Sequence, residues 1–189
     1  MQINRLEESL NDFDAKVRER ALTELAEAVE AGQVRVPAPK PEVNLHYHTF
    51  FSFNAYGWSP SRIAWEARKY GLTAAGIVDF DVLDGMEEFL RAGEIAGIRA
   101  TAAMETRVFI PEYADQVISS PNEPGIGYFM AAGCYKMPPA GSESAKTLAD
   151  MREMARRRNL QVMERVNEHL GRVQLDYQED VLPLTPSGN

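Results

Sequence analysis

The chain has 189 residues, of which 44% are hydrophobic, 9% aromatic and 25% charged, a composition typical of a folded globular protein rather than a disordered one. Its formal net charge of −8 argues against a basic surface for nucleic-acid backbones. No apolar run approaches the roughly 20 residues that span a bilayer, and the charged N-terminal residues lack the apolar core of a signal peptide. The single cysteine, Cys134, cannot form an internal disulfide. Together these features predict a cytoplasmic protein.

Residues 1–34 predict a helical lead-in. Apolar residues recur at spacings of three and four from Leu6 to Ala28, which makes one apolar stripe. Asn11–Asp14 is expected to divide it into two helices, since Asn and Asp compete for local backbone hydrogen bonds. A single helical hairpin cannot bury its own apolar face, so we expect it to pack on the α/β part of the chain.

Three prolines in residues 35–42 predict an extended linker, and residues 43–189 predict an α/β domain in which strands and helices alternate. Ser59 and Pro60 are typical of a helix start and Gly71 of a helix end. Asp84, with Glu87 three residues later, predicts a second helix start. The predicted strands are VNLHYHT, TAAGIVDF, RATAAMETRVFI and GIGYFMAAG, followed by a helix over residues 142–171 that breaks at Asn159. This alternation predicts a parallel sheet or barrel.

His46 and His48 are two of the three histidines in the chain. Their i, i+2 spacing on a predicted strand places both imidazoles on one face. They lie at its carboxyl end, where (β/α) barrels carry their active sites. Imidazole is a common ligand of zinc and similar ions. The pair therefore indicates a metal site, with hydrogen-bonded structural histidines as the alternative.

Glu105 lies in a strand of otherwise small and apolar residues, on the same face as Arg107. A carboxylate in such a place is costly unless it is paired or bound to a metal. Two interpretations remain open: a third metal ligand beside His46 and His48, or an ion pair with Arg107. The guanidinium of Arg107 is also a candidate for binding phosphate, because its geometry matches a phosphate group.

The segment 45–109 resembles the polymerase and histidinol phosphatase (PHP) domain family in a fixed order of motifs. These are Leu45-His46-Tyr47-His48-Thr49, Tyr70-Gly71-Leu72, Val78-Asp79-Phe80-Asp81, Leu83-Asp84-Gly85 and Ala103-Met104-Glu105. The resemblance implies a distorted (β/α) barrel that holds up to three metal ions and hydrolyses phosphoesters. It also implies that His46, His48 and Glu105 are metal ligands. Asp79 and Arg107 are expected to support these ligands or to bind substrate.

Two positions depart from the family's pattern. Asn54 stands eight residues after His46, and Phe80 follows Asp79, at places where the family has metal ligands. An amide is a poor ligand and a phenyl ring is none, so we expect a divalent metal, zinc or manganese, in fewer copies than three. His169 and Arg156–Arg158 are interpreted as surface residues of the long helix, with phosphate binding as the alternative for the three arginines.

The leading functional hypothesis is a metal-dependent hydrolase of PHP type, acting on a small phosphorylated compound or a nucleotide. The alternative is a catalytically degenerate PHP barrel that serves as a binding or scaffold module. An amidohydrolase-type barrel also begins with His-x-His, but nothing in the chain resembles that family's later motifs. The sequence leaves the oligomeric state open and predicts neither a nucleic-acid nor a membrane partner.

The predicted strands are too few to close a (β/α) barrel, which takes roughly 250 residues. The tail from Val181 onward predicts loop. We therefore expect the chain to be the N-terminal part of a PHP-type barrel, continuing for about a hundred residues or more beyond Asn189.

Overall fold

The structure, a computed structural model, describes residues 2–52, 54 and 56–186. Within these residues helices and a single sheet alternate after an N-terminal helical pair. The helices are α1 (Gln2–Ser9), α2 (Ala15–Glu30), α3 (Pro60–Tyr70), α4 (Met86–Ala96) and α5 (Glu143–Leu170). The strands are β1 (Val43–Tyr47), β2 (Ala74–Phe80), β3 (Arg99–Phe109) and β4 (Ile126–Cys134). None of the helices in the described part of the chain is both long and apolar enough to cross a bilayer.

The N-terminal helices divide where the sequence predicts. Asp14 caps α2 by accepting a hydrogen bond from the backbone N–H of Lys16 at 2.8 Å. Leu10, Leu22 and Leu25 are completely buried in the same core as residues of α3 and α4. The helical pair thus packs against the α/β part of the chain and shares its hydrophobic core.

A buried ion pair joins α2 to α4. The guanidinium of Arg18, only 2% exposed, donates from Nε to Glu88 Oε1 at 2.8 Å and from Nη2 to the other carboxylate oxygen. The backbone N–H and hydroxyl of Ser61 donate to the same Oε1 at 3.1 and 2.8 Å. Glu88 therefore ties together the first turns of three helices, and its charge is compensated from two sides.

The sheet has the order β1-β2-β3-β4, with the first three strands parallel. Helix α3 begins where Ser59 accepts from the backbone N–H of Arg62 at 2.9 Å, and it ends at Gly71, whose φ of 75° suits glycine. Ala75, Ile77 and Ala102 project from one sheet face into the helical core. Val78, Phe80 and Glu105 lie on the opposite face, since successive residues of a strand point to opposite sides.

The fourth strand corrects the expectation of a wholly parallel sheet. β4 runs antiparallel to β3, with Glu105 opposite Met130 and Arg107 opposite Tyr128. A parallel connection usually needs a crossover helix. The segment 110–125 contains only the short 3₁₀ turn Pro111–Tyr113. The chain therefore folds directly back on β3.

Three smaller expectations about helices were also wrong. Helix α5 continues through Asn159 without a break, because one asparagine costs a long helix only about 0.7 kcal/mol or less. Helix α4 has Gly85 at its N-cap with no side-chain cap, while Asp84 instead pairs with Arg152 of α5. The tail forms helical turns at Tyr177–Val181 and Leu182–Leu184. Residues 187–189 of the predicted tail lie outside the described residues.

Replacing Glu88 with alanine should destabilise the protein by about 3–5 kcal/mol, because it strands the buried Arg18 charge. Chemical denaturation with urea measures this loss. Glu94→Ala is the matched control, since Glu94 lies on the same helix in an exposed ion pair with Arg91 and should cost less than about 1 kcal/mol. Equal losses of unfolding free energy in the two variants would contradict a larger contribution from the buried Arg18–Glu88 pair.

Candidate metal centre

The carboxyl ends of β1 and β2 and the middle of β3 bring the predicted ligands together. His46 lies in β1, His48 follows that strand, and Glu105 is paired with Phe80, the last residue of β2. The register of β1 against β2 shifts between Asn44 and Tyr47, an irregularity that re-aims side chains near the strand end.

Gly76 allows β1 its close approach at this irregularity. A Cβ at this position would lie 2.8 Å from Thr101 Cγ2 and 3.0 Å from the backbone of Leu45. No side chain fits there without moving a strand. The absence of a side chain at Gly76 thus helps to set where His46 lies.

The two imidazoles converge on one carboxylate oxygen. Nε2 of His46 and Nε2 of His48 each lie 3.3 Å from Glu105 Oε2, and the three ligand atoms lie within 4.8 Å of one another. Two ligands that are each about 2.0–2.2 Å from a tetrahedral zinc ion lie about 3.4 Å apart. The two His–Glu distances therefore fit the edges of a tetrahedral coordination sphere.

The burial of Glu105 is a second indication, besides the distances, that its carboxylate binds a cation. Glu105 is 7% exposed, and its buried Oε2 accepts no hydrogen bond from the described part of the chain. A buried carboxylate oxygen without a partner is costly. Either protonated histidines or a bound metal ion would compensate it.

The surroundings of His48 favour the metal. Ser52 Oγ donates its only proton to Asp79 Oδ1 at 2.7 Å, so towards His48 Nδ1, 3.4 Å away, it can only accept. The proton of a neutral His48 then lies on Nδ1, and Nε2 presents its lone pair to Glu105. Two acceptors at this distance repel unless a cation lies between them. Among the described residues the second ring nitrogen of the half-exposed His46 has no such hydrogen bond.

Burial lowers the pKa of His48 below its ordinary value of 6.5, although Asp79 and Glu105 oppose the shift and His46 adds to it. The neutral imidazole is the form that binds metals. Desolvation therefore keeps His48 in a ligand-competent state at neutral pH.

Asp79 anchors the loop that carries His48. It is 2% exposed and accepts from the backbone N–H of Thr49 at 2.6 Å, from Thr49 Oγ1 at 2.7 Å and from Ser52 Oγ. Burial raises the pKa of Asp79, while these hydrogen bonds and His48 lower it in part. Its carboxylate contacts the loop rather than the three candidate ligands.

Asn54 and Phe80, at the positions that depart from the family's pattern, make structural contacts. Asn54 Nδ2 donates to the carbonyl of His48 at 2.7 Å, and its Oδ1 accepts from the backbone N–H groups of Tyr56 and Trp58. The ring of Phe80 stacks on His48 with centroids 4.4 Å apart. Both side chains hold His48 and its loop in place.

Arg107 is not the partner of Glu105, which corrects one alternative from the sequence. It pairs with Glu123 of the segment between β3 and β4 and lines a cavity of about 800 Å³. Arg156–Arg158 are all exposed, as the sequence predicts, and Arg156 and Arg158 also line the same cavity. His169 is exposed on α5, as the sequence predicts.

The sequence indicated Thr49 only as part of a motif and Ser52 not at all, and the contact of both with Asp79 was missed. Both contact Asp79 from far along the chain, at separations of 27 and 30 residues. A serine and a threonine in a loop carry no distinctive spacing. The only available signal was their place directly after the two histidines.

No family model and no curated protein matches the chain. Two solved structures share its fold. One, from Bifidobacterium adolescentis and provisionally described as a metal-dependent phosphoesterase, is 22% identical with a TM-score of 0.59 over 81% of this chain and 46% of its own. The other, an amidohydrolase from Chromobacterium violaceum with bound sulfate and no metal, is 19% identical with a TM-score of 0.54 over 77% of this chain and 46% of its own.

These likenesses show the fold of the chain, a mixed α/β arrangement with a four-stranded sheet that is consistent with part of a barrel. The chain spans slightly less than half the length of either structure. The predicted activity therefore depends on the residues of the site itself.

Acidification should destabilise the metal-free protein through His48. Because folding lowers the pKa of His48, the unfolded state binds the proton first as the pH falls below 6.5. Stability is then lost at up to about 1.4 kcal/mol per pH unit. Urea denaturation in EDTA at about pH 7.5 and about pH 5.5, on either side of the ordinary value, measures the loss.

His48→Gln should lose less stability over this range than the parent, and His169→Gln, the matched control, should behave like the parent. The variants are compared because Asp79 also titrates. Its pKa is raised on folding, so its contribution to stability changes with pH in the direction opposite to that of His48. If the stability of His48→Gln depended on pH as that of the parent does, the pH dependence could not be assigned to His48.

Proposed function

We propose that the chain is the metal-binding part of a metal-dependent hydrolase of PHP type that cleaves phosphoesters. The observation that carries the proposal is the buried Oε2 of Glu105, which has no hydrogen-bond partner in the described residues and lies 3.3 Å from two imidazole nitrogens. The order of motifs from Leu45 to Phe109, and fold neighbours described as a phosphoesterase and an amidohydrolase, support it.

His46, His48 and Glu105 would hold the ion, with zinc or manganese as the candidates by donor type. When bound, such an ion polarises a phosphoryl oxygen and lowers the pKa of a coordinated water. The chain's own contribution is to hold the ligands. Ser52 fixes the tautomer of His48, Asp79 fixes Ser52, and Phe80 covers one face of the ring.

We further propose that the site holds fewer than three ions. Both ends of the Asn54 amide are engaged in hydrogen bonds within the loop, and Phe80 offers no donor atom.

The second candidate is a binding or scaffold module built on the same fold. The engagement of Asn54 and Phe80 in structural contacts favours it, because a site reduced in metals has lost part of its catalytic equipment. A module of this kind keeps a structural ion or none, and it differs from the hydrolase in that no phosphoester is cleaved.

Metal should stabilise the parent and not its ligand variants. We expect zinc or manganese at about a hundred times its dissociation constant to add about 2.7 kcal/mol of stability, seen as a rise in melting temperature over EDTA. His46→Ala and Glu105→Gln should abolish this rise, while His169→Ala, the matched histidine control, should retain it. The same melting loss in metal and in EDTA would refute the metal site.

Activity is best measured on the product of the complete gene, since the chain spans less than half of its fold neighbours. We expect metal-dependent hydrolysis of p-nitrophenyl phosphate that Glu105→Gln reduces by at least about 100-fold, the loss typical when charge stabilisation at the reacting centre is removed. Metal binding without any phosphoester hydrolysis would favour the scaffold module.

A further inference from the structure

A cavity of about 470 Å³, separate from the one that Arg107 lines, lies between the β3–β4 pair and the first turns of α5. Sulfur atoms are concentrated in its walls. The chain has eight methionines and one cysteine, and four of these side chains line this cavity, namely Met104, Cys134, Met137 and Met151. These four residues are called the sulfur cluster below.

An irregularity of β4 places Cys134 in the sulfur cluster. The pairing of β3 with β4 shifts by one residue at Gly133, so that Ala102 lies opposite Cys134. Gly133 has a φ of 79°, the left-handed conformation typical of glycine in a β-bulge. Because residues opposite one another share a face of the sheet, the shift places Cys134 on the face of Ala102 and Met104. In an unbroken ladder Cys134 would point to the other face.

Helix α5 contributes to the cavity from another side. The residues that it turns towards the cavity are spaced three and four apart and therefore share one helix face: Ser144, Thr147, Leu148 and Met151. An ion pair between Arg152 and Asp84 joins α5 to the loop after β2 beside this face. The sulfur atoms thus come from β3, from β4 and the residues after it, and from α5.

The sulfur cluster can be reached from solvent. Met137, three residues after Cys134, is 42% exposed, while Met104, Cys134 and Met151 are half-buried. The thiol of Cys134 donates a hydrogen bond to the carbonyl of Ala131 at 3.4 Å, a long contact for a weak donor. Little is therefore lost when this thiol exchanges its proton for another partner.

The composition of the cavity wall favours a soft metal ion. Thiolate and thioether sulfurs are soft ligands that suit Cu(I). Zinc sites use thiolate, imidazole and carboxylate ligands, whereas three of the four sulfur groups here are thioethers. Among the described residues that line the cavity there is no aspartate, glutamate or histidine. The alternative is that the methionines only fill an apolar gap, which their flexible side chains also do well.

We infer that the sulfur cluster binds one Cu(I) ion through the thiolate of Cys134 and the thioethers of Met104, Met137 and Met151. Cys134 releases its proton to solvent when the ion binds, and the copper stays in the Cu(I) state. The site is separate from the candidate metal centre, because Met104 and Glu105 are successive residues of β3 and point to opposite faces of the sheet. The inference therefore goes beyond the proposed function.

Competition with bicinchoninate, a coloured chelator of Cu(I), tests the inference on the 189-residue chain under anaerobic, reducing conditions. The parent should bind one Cu(I) ion per chain. Cys134→Ser and the leucine variants of Met104, Met137 and Met151 should each bind it about tenfold or more weakly, the least loss typical when groups around a metal site are removed. Leucine preserves apolar volume, and circular dichroism melts verify that the variants fold.

Two variants serve as controls. Met154→Leu removes an exposed methionine of the same helix that lies outside the cavity lining, and it should bind Cu(I) like the parent. His46→Ala removes a candidate ligand of the other centre and should also bind Cu(I) like the parent. X-ray absorption of the copper-loaded chain should show sulfur neighbours alone.

Failure of the parent to bind, or unchanged binding in Cys134→Ser or in all three leucine variants, would overturn the inference and leave an ordinary apolar cavity. Loss of Cu(I) binding in His46→Ala, or nitrogen and oxygen neighbours of the copper, would place the ion in the candidate metal centre and would also overturn it. The stabilisation by zinc or manganese that tests the proposed function does not depend on these outcomes, since it involves other residues.

Discussion

The buried carboxylate of Asp79 determines where the candidate metal centre lies. It joins the end of β2 to the loop after β1 by three hydrogen bonds from Thr49 and Ser52. Burial of this charge is costly and raises the pKa of Asp79. The hydrogen bonds from Thr49 and Ser52 offset that cost, and the same bonds hold the loop in place. Through Ser52 the same carboxylate orients His48 and leaves its Nε2 directed at Glu105.

The fold separates stability from chemistry by using the two faces of the sheet differently. Helices α2, α3 and α4 cover one face with an apolar core and the buried Arg18–Glu88 pair. The other face carries Phe80 and Glu105, and the charge of Glu105 would destabilise an apolar core. A rigid covered face allows a costly group such as the unsatisfied Glu105 oxygen to persist on the opposite one.

Asn54 and Phe80 both support His48. The amide of Asn54 holds the backbone of His48 and Trp58, and the ring of Phe80 covers the imidazole. Both stiffen the one histidine whose surroundings favour a neutral, ligand-competent ring. The proposed metal centre is therefore consistent with either cleavage or binding. Arg152, Arg156 and Arg158 of α5 line the neighbouring cavity.

Local patterns in the sequence determined the order of the helices and first three strands and the Ser59–Pro60 helix start, and they placed His46 and His48 on one face. Each of these depends on backbone periodicity or strand parity, which short stretches encode. The same patterns left Glu105 open between a metal ligand and an ion pair with Arg107, and only the family resemblance joined Glu105 to the two histidines. Only the tertiary structure decided that Ser52 meets Asp79, that Arg107 pairs with Glu123, that β4 turns back on β3 and that Arg158 lines a cavity. Periodicity in the sequence indicates on which side of a helix or strand a residue lies. The residue that it contacts depends on which distant segment of the chain packs against that side.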